Sequence, residues 1–113
     1  MVNYSKRLPF ILATLLSVLS PLSIAGSPII EIEIRNHLFF PDVITIPADT
    51  KIKLMIYNRD NSSEEFESYE LNREKIIPGK SRAVIFIGPL PAGEYPFFGE
   101  FFPKTAQGKV VVK

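Results

Sequence analysis

The chain has 113 residues, 13 basic and 12 acidic groups, nine phenylalanines and no cysteine. This length allows a single domain, and without cysteine neither disulfide bonds nor thiolate metal ligands are possible. The balanced charge excludes the clustered basic face that binding to nucleic acid usually requires.

The first 25 residues have the three parts of a secretory signal peptide. Lys6 and Arg7 form a basic head, an apolar run follows over residues 8–22, and residues 23–25 are a small-residue end, so cleavage is expected before Gly26. The apolar run is shorter than the roughly 20 residues that a membrane-spanning helix needs. We therefore expect an exported domain over residues 26–113 with no stable membrane span after cleavage. A permanent membrane anchor is the alternative.

Short segments in which apolar and polar residues alternate recur along the rest of the chain, as in half-buried β-strands. The alternating segments are residues 30–34 and 52–56. Residues 43–46 form a shorter apolar segment, Tyr95 and Phe97 are expected on one side of a later strand, and Val110 and Val112 line the last one. Residues 83–87 are apolar at successive positions, which is typical of a central strand buried on both faces. No long helical pattern is present.

Proline and glycine interrupt these segments at regular intervals. Pro78-Gly79 fits the two central positions of a type II turn, and residues 89–93 contain two prolines that cannot lie inside a sheet. Six to eight short strands at this spacing predict an all-β sandwich or barrel. Periodicity alone does not separate a cupredoxin from an immunoglobulin-like sandwich.

Three segments in the right order resemble the cupredoxin family. Residues 40–50 resemble its Phe-x-Pro…Pro-Ala-Gly-Thr run, residues 54–58 resemble the strand that ends in Asn before the first ligand loop, and residues 93–113 resemble the metal-loop end of the domain. The resemblance implies a cupredoxin-like Greek-key β-sandwich. In that family a Cys and a His stand where this chain has Gly99 and Phe102.

A narrower resemblance is carried by residues 65–68, 71–75 and 99–108. They are similar to small cupredoxin-domain proteins of the periplasm that lack Cys and are associated with high-affinity iron uptake permeases. That group usually carries a His at the position of Phe102. The resemblance implies a periplasmic metal-binding accessory protein with a membrane iron permease as its partner.

The donor atoms on offer exclude a type 1 copper electron carrier, because such a centre needs a thiolate and two imidazoles and the chain has one His. Six carboxylates instead fall within residues 60–74, a segment expected to be an acidic loop. In a cupredoxin this loop reaches the same end of the sandwich as residues 99–108. We predict a metal site formed by Glu65, Glu67 and Glu100, and carboxylates suit iron or another transition metal such as manganese.

The alternative for these carboxylates is a solvated loop with ion pairs to Arg73 and Lys75. His37 is expected to be a surface or hydrogen-bonded residue, with a ligand role as its alternative. Phe101 and Phe102 are candidates for a partner-facing surface, or else both fill the pocket of the missing metal. A metal-free interaction module is therefore the second functional hypothesis.

A third hypothesis is an immunoglobulin-like structural domain. Met55, the only Met after residue 25, is expected to pack partly against the sheet rather than to bind a metal. Without Cys, and with one His that has no evident Ser and Asp partners, the sequence contains no nucleophile–base pair. No enzymatic activity is expected.

Overall fold

The structure is a computed structural model that describes residues 26–113. The predicted signal peptide, residues 1–25, lies outside the described residues. Residues 26–113 form nine strands and no helix, so none of their segments is a helix that could span a membrane. The strands are β1 (Ile29–Arg35), β2 (Leu38–Phe40), β3 (Val43–Ile46), β4 (Ile52–Asn58), β5 (Glu64–Ser68), β6 (Arg73–Ile77), β7 (Arg82–Ile87), β8 (Gly93–Gly99) and β9 (Gln107–Val112).

The strands form two packed sheets, one in the order β2-β1-β4-β7 and the other in the order β3-β9-β8-β5-β6. Two pairings, β1 with β4 and β3 with β9, are parallel, and the other pairings are antiparallel. This arrangement confirms the predicted all-β sandwich. The strand count exceeds the predicted six to eight because the short strand β2 and the charged strands β5 and β6 have no clear apolar alternation.

The core lies between the sheets and follows from the two-residue period of the strands. On β4, for example, Ile52, Leu54 and Ile56 are fully buried while the residues between them are half-buried. Phe66 and Phe97 from the other sheet stack at 4.9 Å between ring centroids, and Phe39 meets Phe97 edge-on at 5.0 Å. Full burial of one such ring stabilises the fold by about 1.5–3 kcal/mol.

The prediction of a central strand over residues 83–87 is wrong, since β7 is the edge strand of its sheet. Ala83, Ile85 and Ile87 face the core, whereas Phe86 faces outwards and is 43% exposed. The ammonium group of Lys51 lies 4.9 Å from the centroid of the Phe86 ring. This cation–π contact explains how an apolar residue is accommodated on the outer face.

The prediction of an acidic loop over residues 60–74 is also wrong from residue 64 onwards, where strands β5 and β6 lie. Strands β5 and β6 form an antiparallel hairpin in which Glu64 is opposite Ile77 and Glu67 is opposite Glu74. Sequence patterns missed it because glutamate is depleted in strands. The hairpin is held by the antiparallel pairing of β5 with β8 and by the core residues Phe66 and Ile77, both fully buried.

The turn at Pro78-Gly79 is shifted by one residue from the prediction. The amide of Ser81 donates to the Pro78 carbonyl at 3.3 Å, so Pro78 is the first turn residue and Gly79 and Lys80 are the central ones. The positive φ of 58° falls on Lys80. Gly79 is needed for another reason: a Cβ there would overlap the Asn61 carbonyl oxygen and lie 3.0 Å from that of Asp60.

We expect Gly79→Ala to destabilise the domain by at least about 1 kcal/mol, because the backbone of residues 60 and 61 would have to move. Chemical denaturation of residues 26–113 measures this. Gly26→Ala is the matched control, since a Cβ on Gly26 would have nothing within 4 Å. Equal unfolding midpoints for the two variants would contradict the close approach.

Candidate functional site

The side chains of β5 and β6 that point away from the core bring three carboxylates together. Glu65 and Glu67 alternate with buried residues on β5, and the hairpin register places Glu74 opposite Glu67. One carboxylate oxygen from each residue lies within 4.8 Å of the other two. Three oxygen donors at this separation can approach a single cation.

Glu100 follows the last residue of β8 and lies beside β5. Its amide donates a 2.8 Å hydrogen bond to the carbonyl of Glu65. Of the predicted set, the structure therefore places Glu65 and Glu67 in one compact group and Glu100 next to it. The role of all three as metal ligands stays a prediction. Glu65, Glu67, Glu74 and Glu100 are called the acidic face below.

Sequence reasoning missed Glu74 because its position depends on the hairpin register. The signal that could have found it is the turn between β5 and β6. A turn over residues 69–72 pairs residue 67 with residue 74 and keeps both side chains on one face of the sheet.

No basic side chain within residues 26–113 forms an ion pair with the acidic face. The ion pair with Arg73 that the solvated-loop alternative requires does not occur, because the Arg73 guanidinium donates to the carbonyls of Phe86 at 2.8 Å and Asn72 at 2.9 Å. Lys75 likewise forms no salt bridge. The carboxylates are thus left to repel one another across the hairpin.

This arrangement raises the pKa of two of the four groups. Loss of hydration is the main cause of the raised pKa of Glu65, followed by repulsion from Glu74 and then from Glu100. The pKa of Glu67 is raised by loss of hydration, then by Glu74, Glu65 and Glu100. Both groups would gain from a proton or a cation at the acidic face.

A further carboxyl lies inside the sandwich, directly behind the acidic face. Glu64 is 1% exposed, and its Oε1 accepts the amide N–H groups of Glu65 at 2.8 Å and of Phe101 at 2.9 Å. Its Oε2 is buried and has no hydrogen-bond partner among residues 26–113. A Cβ added to Gly99 would overlap this Oε2 and lie 2.7 Å from the Cβ of Ala106.

The two candidate partner-facing phenylalanines have different surroundings. Phe101 is 46% exposed. Phe102 packs against the core and stacks on His37, with ring centroids 3.5 Å apart and an interplanar angle of 15°. Asp60 holds the His37 turn, since its carboxylate accepts the amides of Asn36 at 2.8 Å and His37 at 2.9 Å. His37 is thus hydrogen-bonded through its backbone amide, as expected, and its imidazole ring lies on Phe102.

A family model and a related protein both match this chain. A family model described as a cupredoxin-like domain matches residues 8–112. The chain belongs to the cupredoxin-like domain family. It is also 43% identical over 83 residues to a protein of Rickettsia prowazekii (strain Madrid E) that is described as uncharacterized. The match covers 74% of this chain and 66% of that relative, slightly less than two thirds of its length.

Solved structures similar to this cupredoxin-like domain include two copper proteins. One is the metal binding domain of the Cu(I) exporting P-type ATPase CopA of Streptococcus pneumoniae D39, with a TM-score of 0.66, 18% identity and coverage of 80% of this chain and 91% of that one. The other is auracyanin A, a blue copper protein of Chloroflexus aurantiacus, with a TM-score of 0.65, 14% identity and coverage of 78% and 100%. At these identities the likeness shows the fold alone.

Both of these similar structures are described as copper-binding proteins, but the residues of this chain do not fit a blue-copper centre. Such a centre needs one thiolate and two imidazoles, whereas the chain has no Cys and one His. The structure agrees with the composition, because the Glu64 carboxyl and Ala106 already occupy the space that a side chain at position 99 would need. Any cation site must use other donors.

The raised pKa values of Glu65 and Glu67 predict a pH-dependent stability. Their ordinary pKa is about 4.5, so the folded state binds protons more readily than the unfolded chain. Stability gained from these groups is therefore present at low pH and is lost as the pH rises through their folded pKa values. We expect Glu67→Gln to raise the melting temperature at pH 7 and to flatten its dependence between pH 4.5 and 7.

Thermal unfolding at several pH values measures this effect. Glu70→Gln is the matched control, because it makes the same change at an exposed residue outside the acidic face and should leave the profile unchanged. A lower melting temperature for Glu67→Gln at pH 7, with an unaltered pH profile, would show that repulsion among these carboxylates does not determine how stability depends on pH.

Proposed function

We propose that this cupredoxin-like protein is a metal-binding accessory protein that takes a cation at the acidic face rather than copper in the sandwich interior. We further propose that it acts in the periplasm in the uptake of iron or another divalent cation, with a membrane iron permease as its partner. The proposed export depends on the predicted signal peptide over residues 1–25. The proposed role is binding and transfer, without an enzymatic step.

The observation that carries this proposal is the group formed by Glu65, Glu67 and Glu74. Their ligand oxygens lie within 4.8 Å of one another and no basic residue within residues 26–113 neutralises them. Bringing like charges together on a folded surface is unfavourable unless a proton or a counter-ion offsets the repulsion. A bound cation supplies that counter-ion and uses all three carboxylates at once.

The chemistry of the donors favours certain metals. All the donors of the acidic face are carboxylate oxygens, which suit hard and borderline cations such as manganese and iron. Soft Cu(I) prefers thiolate and thioether ligands, and Met55 lies on the outer face of β4, in the other sheet. This distribution supports iron or manganese over Cu(I).

We expect purified residues 26–113 to bind Mn(II) or Fe(II) more tightly than millimolar, and the double variant Glu65→Gln with Glu67→Gln to lose at least about tenfold in affinity. Losses of this size follow removal of groups around a metal site. Isothermal titration with Mn(II), Fe(II), Fe(III) and Cu(II) measures the affinities. The melting temperature should rise with the bound metal, because the ion binds the folded state preferentially.

Glu70→Gln again serves as the control and should bind the metal as the unmodified protein does. Absence of binding tighter than millimolar to all four ions would refute the proposed function. Binding that survives in the double variant would instead move the site away from the acidic face.

The exposure of Phe101 favours a second candidate function, a metal-free interaction module. Its ring is 46% exposed, next to the acidic face in sequence, and exposed aromatic residues are frequent anchors at protein interfaces. Comparison of Phe101→Ala with the double glutamate variant separates the two functions. If Phe101→Ala abolishes binding to the permease while no variant affects a metal, the interaction module is supported.

A further inference from the structure

We infer that Glu64 is a positioning residue: its buried carboxyl joins β5 to the segment after β8 and thereby holds Glu65 and Glu100 side by side in the acidic face. The inference about cation affinity rests on the proposed function. The inference about the geometry does not, because it concerns hydrogen bonds that exist without a metal.

The joint is made by a single oxygen atom. Glu64 Oε1 accepts the amide N–H of Glu65 at 2.8 Å and that of Phe101 at 2.9 Å. Those two amides are 36 residues apart in the sequence. One belongs to Glu65, a residue of the acidic face, and the other to Phe101, which directly follows Glu100. The amide of Glu100 adds its own 2.8 Å bond to the Glu65 carbonyl. Glu64 thus completes a short network that includes the backbone of both Glu65 and Glu100, from which the two outward carboxylates project.

Burial makes this network costly to lose. Glu64 is 1% exposed, so amides that lost its Oε1 would have few other acceptors, and an unsatisfied buried donor is penalised more than an average hydrogen bond is worth. The second oxygen, Oε2, lies against the position that a Cβ on residue 99 would take and has no hydrogen-bond partner among the described residues. Only glycine at position 99 leaves room for it.

A carboxyl is an expensive group to bury, and core packing does not require one here. A Met side chain of similar length would fill the same volume without an unpartnered oxygen. What Met cannot do is accept the two amide hydrogens. The hydrogen-bonding role, and not the volume, therefore distinguishes Glu64 from the apolar residues around it.

Three variants separate the possible roles of Glu64. Glu64→Gln keeps an acceptor oxygen of the same reach but removes the charge. Glu64→Met keeps the volume and removes the acceptor. Glu64→Asp keeps the carboxyl but shortens its reach, so it can no longer bridge to Phe101.

Amide hydrogen exchange followed by NMR tests the geometry. We expect exchange of the Phe101 amide to accelerate roughly tenfold in Glu64→Met and Glu64→Asp, the change expected for loss of one hydrogen bond. It should stay close to the unmodified rate in Glu64→Gln. Exchange of the Val110 amide in β9 is the internal control for global stability. Should Glu64→Met fail to fold, Glu64→Asp decides the result. An unchanged Phe101 rate in the folded variants overturns the inference.

Titration with Mn(II) tests the positioning role. All three variants keep the four carboxylates of the acidic face, so we expect Glu64→Met and Glu64→Asp to lose affinity severalfold and Glu64→Gln to retain it. Equal losses in Gln and Met would attribute the effect to charge and overturn the positioning role, as would full affinity in all three. If the unmodified protein binds neither Mn(II) nor any of the other three ions, the proposed function fails, and the exchange rates still decide whether Glu64 joins the two segments.

Discussion

The alternation of side chains along β5 is the constraint on which both faces of the site depend. Because successive residues point to opposite sides of a strand, Glu64, Phe66 and Ser68 enter the sandwich while Glu65 and Glu67 leave it. Strands β6 and β8 flank β5 on both sides. A slip of one residue would bury two carboxylates and expose the aromatic core, so the register is strongly specified.

The same constraint explains which parts of the structure can be predicted from the sequence. The alternating isoleucines of β1 and β4 predict their strands because the hydrophobic period is local. The hairpin β5–β6 cannot be predicted in this way, since the burial of Glu64 depends on an amide that Phe101 donates from 37 residues further along the chain. The shared face of Glu65 and Glu67 follows from spacing alone, whereas Glu74 requires the register of a second strand.

His37 shows how a locally unfavourable conformation can be stabilised by distant residues. The two-residue turn Asn36-His37 has positive φ at both positions, 50° and 61°, where Asn-Gly is the favoured pair. The Asp60 carboxylate satisfies both amides of the turn, and Phe102 covers the imidazole ring. Three segments that are distant in sequence therefore meet at this pole of the sandwich through side chains and backbone amides.

The interior and the outer surface of this end of the sandwich have opposite properties. Inside, the Glu64 carboxyl is buried, and the partly buried Phe102 packs between the core and the His37 imidazole. Outside, the acidic face keeps carboxylates without basic partners within residues 26–113. Protons and cations must then compete for the same oxygens, because metal ligands bind in their deprotonated form. Under the proposed function, a cation bound at the acidic face would therefore be released as the carboxyls become protonated, and the raised pKa values of Glu65 and Glu67 would place that release at milder acidity than isolated glutamates would allow.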